Sequence, residues 1–152
     1  MTDPVTIRVE IPVRPMGYRK MKVAMRDRGG RPLKRPRLYM EKEYKVYQQI
    51  IKNEVEVDIR DALNFLDGHA RRAFYFNWQI PKARFLFRVK DQKKWGTERQ
   101  CKPDIDNLEK PILDALTGVL WSDDCKSTGI PNRRRMYAKD DGVILWIEGR
   151  MK

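Results

Sequence analysis

The residues able to do chemistry concentrate in one stretch, Lys102-Pro103-Asp104-Ile105-Asp106-Asn107-Leu108-Glu109-Lys110. Asp104 and Asp106 stand two apart, and Pro103 biases Lys102 toward an extended backbone. A chain that stays extended through Asp106 projects both carboxylates to the same side. Lys110 follows Asp106 by four residues, one helical turn further on, where it can point back toward the pair. More acid is available in Trp121-Ser122-Asp123-Asp124. Neighbours in an extended segment face opposite ways, so one of Asp123 and Asp124 joins the pair. Gathered carboxylates repel: two unit charges at 4 Å cost about 4 kcal/mol at an effective dielectric of about 20. The cluster must take up protons or bind a divalent cation. All-oxygen donors suit Mg²⁺ or Mn²⁺. Such an ion polarises a phosphodiester and turns a bound water into a nucleophile at neutral pH. Lys110 would position the scissile phosphate or offset charge in the transition state.

The same residues admit an ordinary structural reading. Asp106 with Glu109 fits a capping box, and Lys110 with Asp114 fits an i,i+4 ion pair. The chain would then be a non-catalytic, basic nucleic-acid-binding module. That reading leaves Asp124 without a purpose. The overall charge also weighs against it. Over 152 residues, 33 Lys and Arg oppose 21 Asp and Glu, a net charge of +12, so an anionic partner is expected, nucleic acid ahead of a membrane surface. A nucleic-acid binder gains nothing by aiming carboxylates at phosphates unless a cation lies between them.

Other chemistries are excluded by residue type. The single histidine, His69, rules out any site that needs two within the chain and reads as a surface residue. Cys101 and Cys125 have no CxxC spacing, so neither a disulfide framework nor a zinc ribbon is expected. They flank the acidic motifs, and coincidence explains that better than a redox or metal role. No run approaches the roughly 18 apolar residues of a membrane span. Met1 to Val13 does not have the make-up of a secretory signal. The expected compartment is a reducing cytoplasm.

Elements must position these groups. Val5, Ile7, Val9, Ile11 and Val13 alternate with polar residues, which predicts a half-buried strand, near an edge because of Pro12. Residues 14–37 hold ten Lys or Arg against one acid, Asp27, with Gly29-Gly30 and three prolines; they read as an exposed loop or loose hairpin suited to ligand binding. Tyr44, Tyr47, Ile51 and Val55 predict a helix over 40–57, with a second short helix over 59–66 and a turn at Gly68-His69. Phe74, Phe76, Trp78 and Ile80 predict a strand ended at Pro81, its aromatic row core rather than a stacking platform. Residues 82–90 fit another strand, with a short helix after Pro81 the alternative, and 91–103 a polar loop. A helix over 107–118 carries Leu108, Ile112, Ala115, Leu116 and Val119 on one side, with Gly118 as its stop. Pro111 is in tension with it, since proline removes a donor and restrains the residue before it. A strand lies within 126–137, and Val143 to Ile147 form a last strand whose unbroken apolar run implies a central place in the sheet. The expected fold is α+β, a single domain over 1–152 with a mixed β-sheet and a few α-helices.

The motifs together resemble a family. Lys102 to Lys110, then Leu113-Asp-Ala-Leu-Thr-Gly118, then Trp121-Ser-Asp-Asp124 resemble, in order and spacing, the D-x-D-N-x-x-K, D-A-L and later D-D signature of RusA-type Holliday-junction resolvases. The strict match covers residues 102–124. An opening strand with a basic loop and a closing basic segment with a strand extend it over most of the chain. After Asp124 the family usually runs through an apolar strand toward a lysine. Here Cys125 to Pro131 is polar, and Arg133 to Arg135 occupy the later basic position.

The resemblance implies a homodimeric, Mg²⁺-dependent endonuclease (Mn²⁺ a substitute) that resolves four-way DNA junctions by paired symmetric nicks in recombination and repair. Carried over by position, Asp104, Asp106 and Asp124 would bind metal, with Asp123 in reserve, and Lys110 would be the catalytic lysine. A flap- or fork-preferring nuclease of the same family is the nearest alternative. The implied setting is bacterial or phage-encoded and nucleoid-associated, with no small-molecule cofactor. Phosphate contacts are expected from Arg14, Arg19, Lys20, Lys22, Arg133, Arg134 and Arg135.

Overall fold

The computed structural model describes residues 3–20, 22–64, 76–122, 127 and 129–152. Among the described residues, six strands and two α-helices follow in the order β1 (Val5–Ile11), β2 (Lys22–Arg26), β3 (Pro32–Tyr39), α1 (Lys42–Leu63), β4 (Phe76–Arg88), α2 (Ile105–Leu116), β5 (Asn132–Ala138) and β6 (Gly142–Met151). The main sheet has the order β1-β6-β4-β5. β6 runs antiparallel to both of its neighbours, and β4 pairs parallel with β5. The mixed α+β sheet expected from the sequence is therefore present, with β1 on an edge and the apolar β6 inside. β2 and β3 form a separate two-stranded sheet, which makes the basic stretch a hairpin. Its lone acid, Asp27, accepts the Arg31 amide at 2.8 Å, and Gly30 takes φ +80°.

Two boundaries differ from expectation for physical reasons. The two helices expected over 40–57 and 59–66 are one as far as the described residues reach. Tyr44, Tyr47, Ile51, Val55, Ile59 and Leu63 continue one buried stripe, so a single helix runs to Leu63. Nor does Pro81 end a strand. β4 continues to Arg88, and Pro81 falls where the register with β6 shifts, between Gln79 and Lys82, while pairing with β5 begins only at Lys82. A residue without an amide fits that gap in the ladder. The predicted turn at Gly68-His69 lies outside the described residues, as do Phe74, Asp123, Asp124 and Cys125.

The core lies between one sheet face and the two helices. Ile7, Val9 and Ile11 of β1, Val143, Leu145 and Ile147 of β6, and Phe76, Trp78, Ile80, Ala83, Phe85 and Phe87 of β4 meet the α1 stripe and Leu108, Ile112, Ala115 and Leu116 of α2. The aromatic row of β4 is core, as its period-2 spacing indicates. Gly149 is required here, because a Cβ would come within 2.5 Å of the Trp78 ring. On the opposite sheet face the half-buried Trp146 lies beneath Arg8 and Lys82, whose cationic ends stand 5.5 and 4.4 Å from the ring centroid.

Candidate active site

α2 presents the central motif. Its N-cap is Asp104, extended at φ −66°, ψ 157°, and the helix begins at Ile105. The chain is thus extended into Asp104 and already helical at Asp106, rather than extended through both. The peptide between Lys102 and Pro103 is cis. Both aspartates are exposed, and Asp104 makes no side-chain capping bond. The capping-box arrangement is not formed: Asp106 lies inside the helix, and Glu109 is committed elsewhere. Negative charge in the first turn of a helix is favourable by its dipole, so the fold tolerates the pair without dedicating it to capping.

Pro111 lies inside α2, and the helix runs through it. Proline has no amide, so the carbonyl of Asn107, four residues earlier, lacks its helical donor. The amide of Tyr18 donates to that carbonyl at 2.7 Å. The carbonyl of Pro111 in turn accepts the Gln48 side-chain amide of α1 at 3.2 Å. The segment after β1 is thereby seated on α2. Gly17 lies so close to Pro103 that a Cβ would stand 2.9 Å from its ring. The Lys110 ammonium lies 4.3 Å from the centroid of the Tyr18 ring, and Tyr18 meets Tyr44 edge-on at 6.4 Å. Lys110 therefore sits one turn beyond Asp106 and faces the basic segment. Burial, aided by Asp114 and Tyr18, pushes the Tyr44 hydroxyl up to about 12, and burial raises that of Tyr47 as well.

The three consecutive arginines of β5 divide by strand alternation. Arg133 and Arg135 face the helices, and Arg134 faces the other side of the sheet beside Arg84. Arg135 donates to the carbonyls of Cys101 at 3.0 Å and Pro103 at 2.8 Å, which fixes the approach to Asp104. Arg133 forms ion pairs with both Asp106 (2.5 Å) and Glu109. The second oxygen of Glu109 accepts the Ile130 amide at 2.5 Å. Arg14 pairs with Asp141 at 3.3 Å, and Lys22 with Glu41. Arg19 and Lys20 are exposed.

Cys101 is an exposed free thiol; a hydrogen bond from Arg99 (3.1 Å) and then one shared with Tyr137 hold it below its ordinary pKa. Among the described residues no group of three Asp, Glu, His or Cys could hold a metal ion. The oxygens of Asp104 and Asp106 are a hard, oxygen-only set that suits Mg²⁺, which is often bound through one or two carboxylates plus substrate phosphates.

Sequence reasoning missed Tyr18, Gly17 and the carboxylate partners of Arg133. The amide missing at 111 was a readable signal for the first, since it frees the Asn107 carbonyl. The i,i+3 spacing of Asp106 and Glu109, which puts both on one helix face, was the signal for the last.

A family model described as endodeoxyribonuclease RusA matches residues 12–148. The chain belongs to the RusA endodeoxyribonuclease family. The match takes in the opening basic segment, all of α2 and most of β6, so family membership covers the whole site. A similar curated protein is the crossover junction endodeoxyribonuclease rusA of Lactococcus phage r1t, 27% identical over 66 residues. That alignment takes in 43% of this RusA-family chain and 38% of the relative, so the chain matches well under half of the relative's length. Among solved structures, the 2C-methyl-D-erythritol 2,4-cyclodiphosphate synthase of Plasmodium vivax aligns over 99% of both chains at 9% identity. Its TM-score of 0.29 is too low to carry any argument about fold or activity.

Proposed function

We propose that the chain is a Mg²⁺-dependent, structure-selective DNA endonuclease that resolves four-way junctions by paired symmetric nicks. One observation supports it most: two exposed aspartates open α2 with a lysine one turn on, in a RusA-family chain of charge +12. Asp104 and Asp106 would hold the metal, with Asp124 as third ligand and Asp123 as its substitute. The bound ion supplies a polarised phosphodiester and a water acidic enough to be the nucleophile. Lys110 offsets charge that develops on the phosphate, held for that task against the Tyr18 ring. Arg19 and Lys20, both exposed, would take phosphates, and Arg14, Lys22 and Arg134 add to the positive surface. Arg133 directs its donors to Asp106 and Glu109, and Arg135 donates to the carbonyls of Cys101 and Pro103. Two cuts on a two-fold junction call for two related sites, hence a homodimer. The setting is a bacterial or phage nucleoid.

The test uses synthetic four-way junction, fork and linear duplex, each with and without Mg²⁺. The expected result is paired nicking of the junction, lost with EDTA and in Asp104→Asn or Asp106→Asn, while junction binding persists. Normal cleavage by those variants would refute the assignment. Preferential cleavage of the fork would favour the flap- or fork-nuclease reading.

A further inference from the structure

The geometry points to Arg133 as a positioning residue that stands in for the cation at Asp106 until a metal arrives and then releases that carboxylate. This rests on the reading of Asp104 and Asp106 as metal ligands. Asp106 and Glu109 lie one turn apart on the same face of α2, and the one guanidinium of Arg133 bridges them. The two arms are unequal. Glu109 is 13% exposed at its side chain, and its other oxygen is taken by the Ile130 amide. Asp106 is 80% exposed. A partly buried carboxylate with two partners is costly to strip, whereas an exposed ion pair is weak. Arg133 is therefore anchored on Glu109, and its hold on Asp106 is the one that yields. Arginine suits this task, because its planar fork can keep one carboxylate while letting go of another. Glu109 with Ile130 also lines a cleft of ≈290 Å³ with Gly129, Pro131 and Arg133, so solvent and ions reach the anchor's edge.

Opposite effects of two variants on metal binding follow. Removing the guanidinium removes a competitor for Asp106. Neutralising Glu109 leaves Arg133 with Asp106 alone and tightens its hold. Mn²⁺ by itself is titrated into the full chain and followed by calorimetry and by the electron paramagnetic resonance of the free ion. Arg133→Gln should bind Mn²⁺ up to about fivefold more tightly than the natural chain, the range of an exposed ion pair. Glu109→Gln, which still accepts from Ile130, should bind it more weakly by a comparable factor. Arg133→Lys keeps the charge and should stay within about twofold.

A merely structural role would weaken Mn²⁺ binding in both Arg133→Gln and Glu109→Gln, in step with the loss of melting temperature, and that result overturns the proposal. If Arg133→Gln does not fold, the sign of the Glu109→Gln change and the neutrality of Arg133→Lys decide. Asp106→Asn separates this proposal from the one beneath it. Mn²⁺ binding that survives in Asp106→Asn sinks the metal site itself. Binding lost there, but unchanged in Arg133→Gln, sinks only the role of Arg133.

Discussion

Replacing Gly17 with alanine tests how tightly the basic segment is coupled to the acidic motif. Gly17 is not in the left-handed region, so alanine is conformationally acceptable there and the whole effect is steric. The added Cβ would stand 2.9 Å from Pro103 Cβ and 3.1 Å from its Cγ. Carbon atoms rest at about 3.5–4.0 Å, so something must move by roughly 0.6–1.1 Å. The segment cannot simply lift away, because Tyr18 is bonded to Asn107 at 2.7 Å. Pro103 is a rigid ring held through its carbonyl by Arg135, and the residue displaced with it is Asp104. A misplacement near 1 Å at a reacting centre costs about a hundredfold in rate. Overpacking costs about 1–3 kcal/mol, here at the lower end because Gly17 is only half-buried, or about 2–4 °C in Tm for a chain of this size. Single-turnover cleavage of a four-way junction in Mg²⁺ should therefore fall tenfold to a hundredfold while the protein stays folded. A rate within twofold of the natural chain would show that Pro103 and the segment yield independently, and the coupling would be refuted.

Two other outcomes are expected. Gly149→Ala sets a Cβ within 3 Å of three atoms of the buried Trp78 ring, so stability should drop by about 1–3 kcal/mol, seen as a lower midpoint in urea with an unchanged slope; a neutral result would mean that β4 and β6 part easily. Tyr44 and Tyr47 are buried with raised pKa values, that of Tyr44 at about 12 against the ordinary 10.0. Their contribution to stability is complete below pH 10 and is lost as pH climbs toward 12. Alkaline unfolding of the Tyr44→Phe, Tyr47→Phe double variant should begin at higher pH than in the natural chain, and a coincident profile would contradict it.

Much of this was legible in the sequence, and for identifiable reasons. Alternation in Val5 to Ile11 and the apolar run from Val143 report burial on one or both faces, a property local to the strand, so both strands and their edge or central places could be read. The signature around Asp104 could be read because it is short and contiguous. The length of α1 was missed because the helical spacing was followed only to Val55, whereas the stripe continues through Ile59 to Leu63. Pro81 misled because its tolerance depends on a register shift against β6, a partner far along the chain. Arg133 and Arg135 look like phosphate ligands in a string of three arginines. Only the register of β5 turns them toward Asp106, Glu109 and the Pro103 carbonyl while Arg134 faces away.

The proline at 111 bears on how the segment after β1 can change. The acceptor that seats the segment is a main-chain oxygen, and it is left vacant by a residue on α2 rather than by anything in the segment. A main-chain amide answers it, which almost every amino acid carries. Exposed side chains of the segment, Arg14, Arg19 and Lys20 among them, can thus vary around a fixed mooring, whereas proline at position 18 would cast the segment adrift.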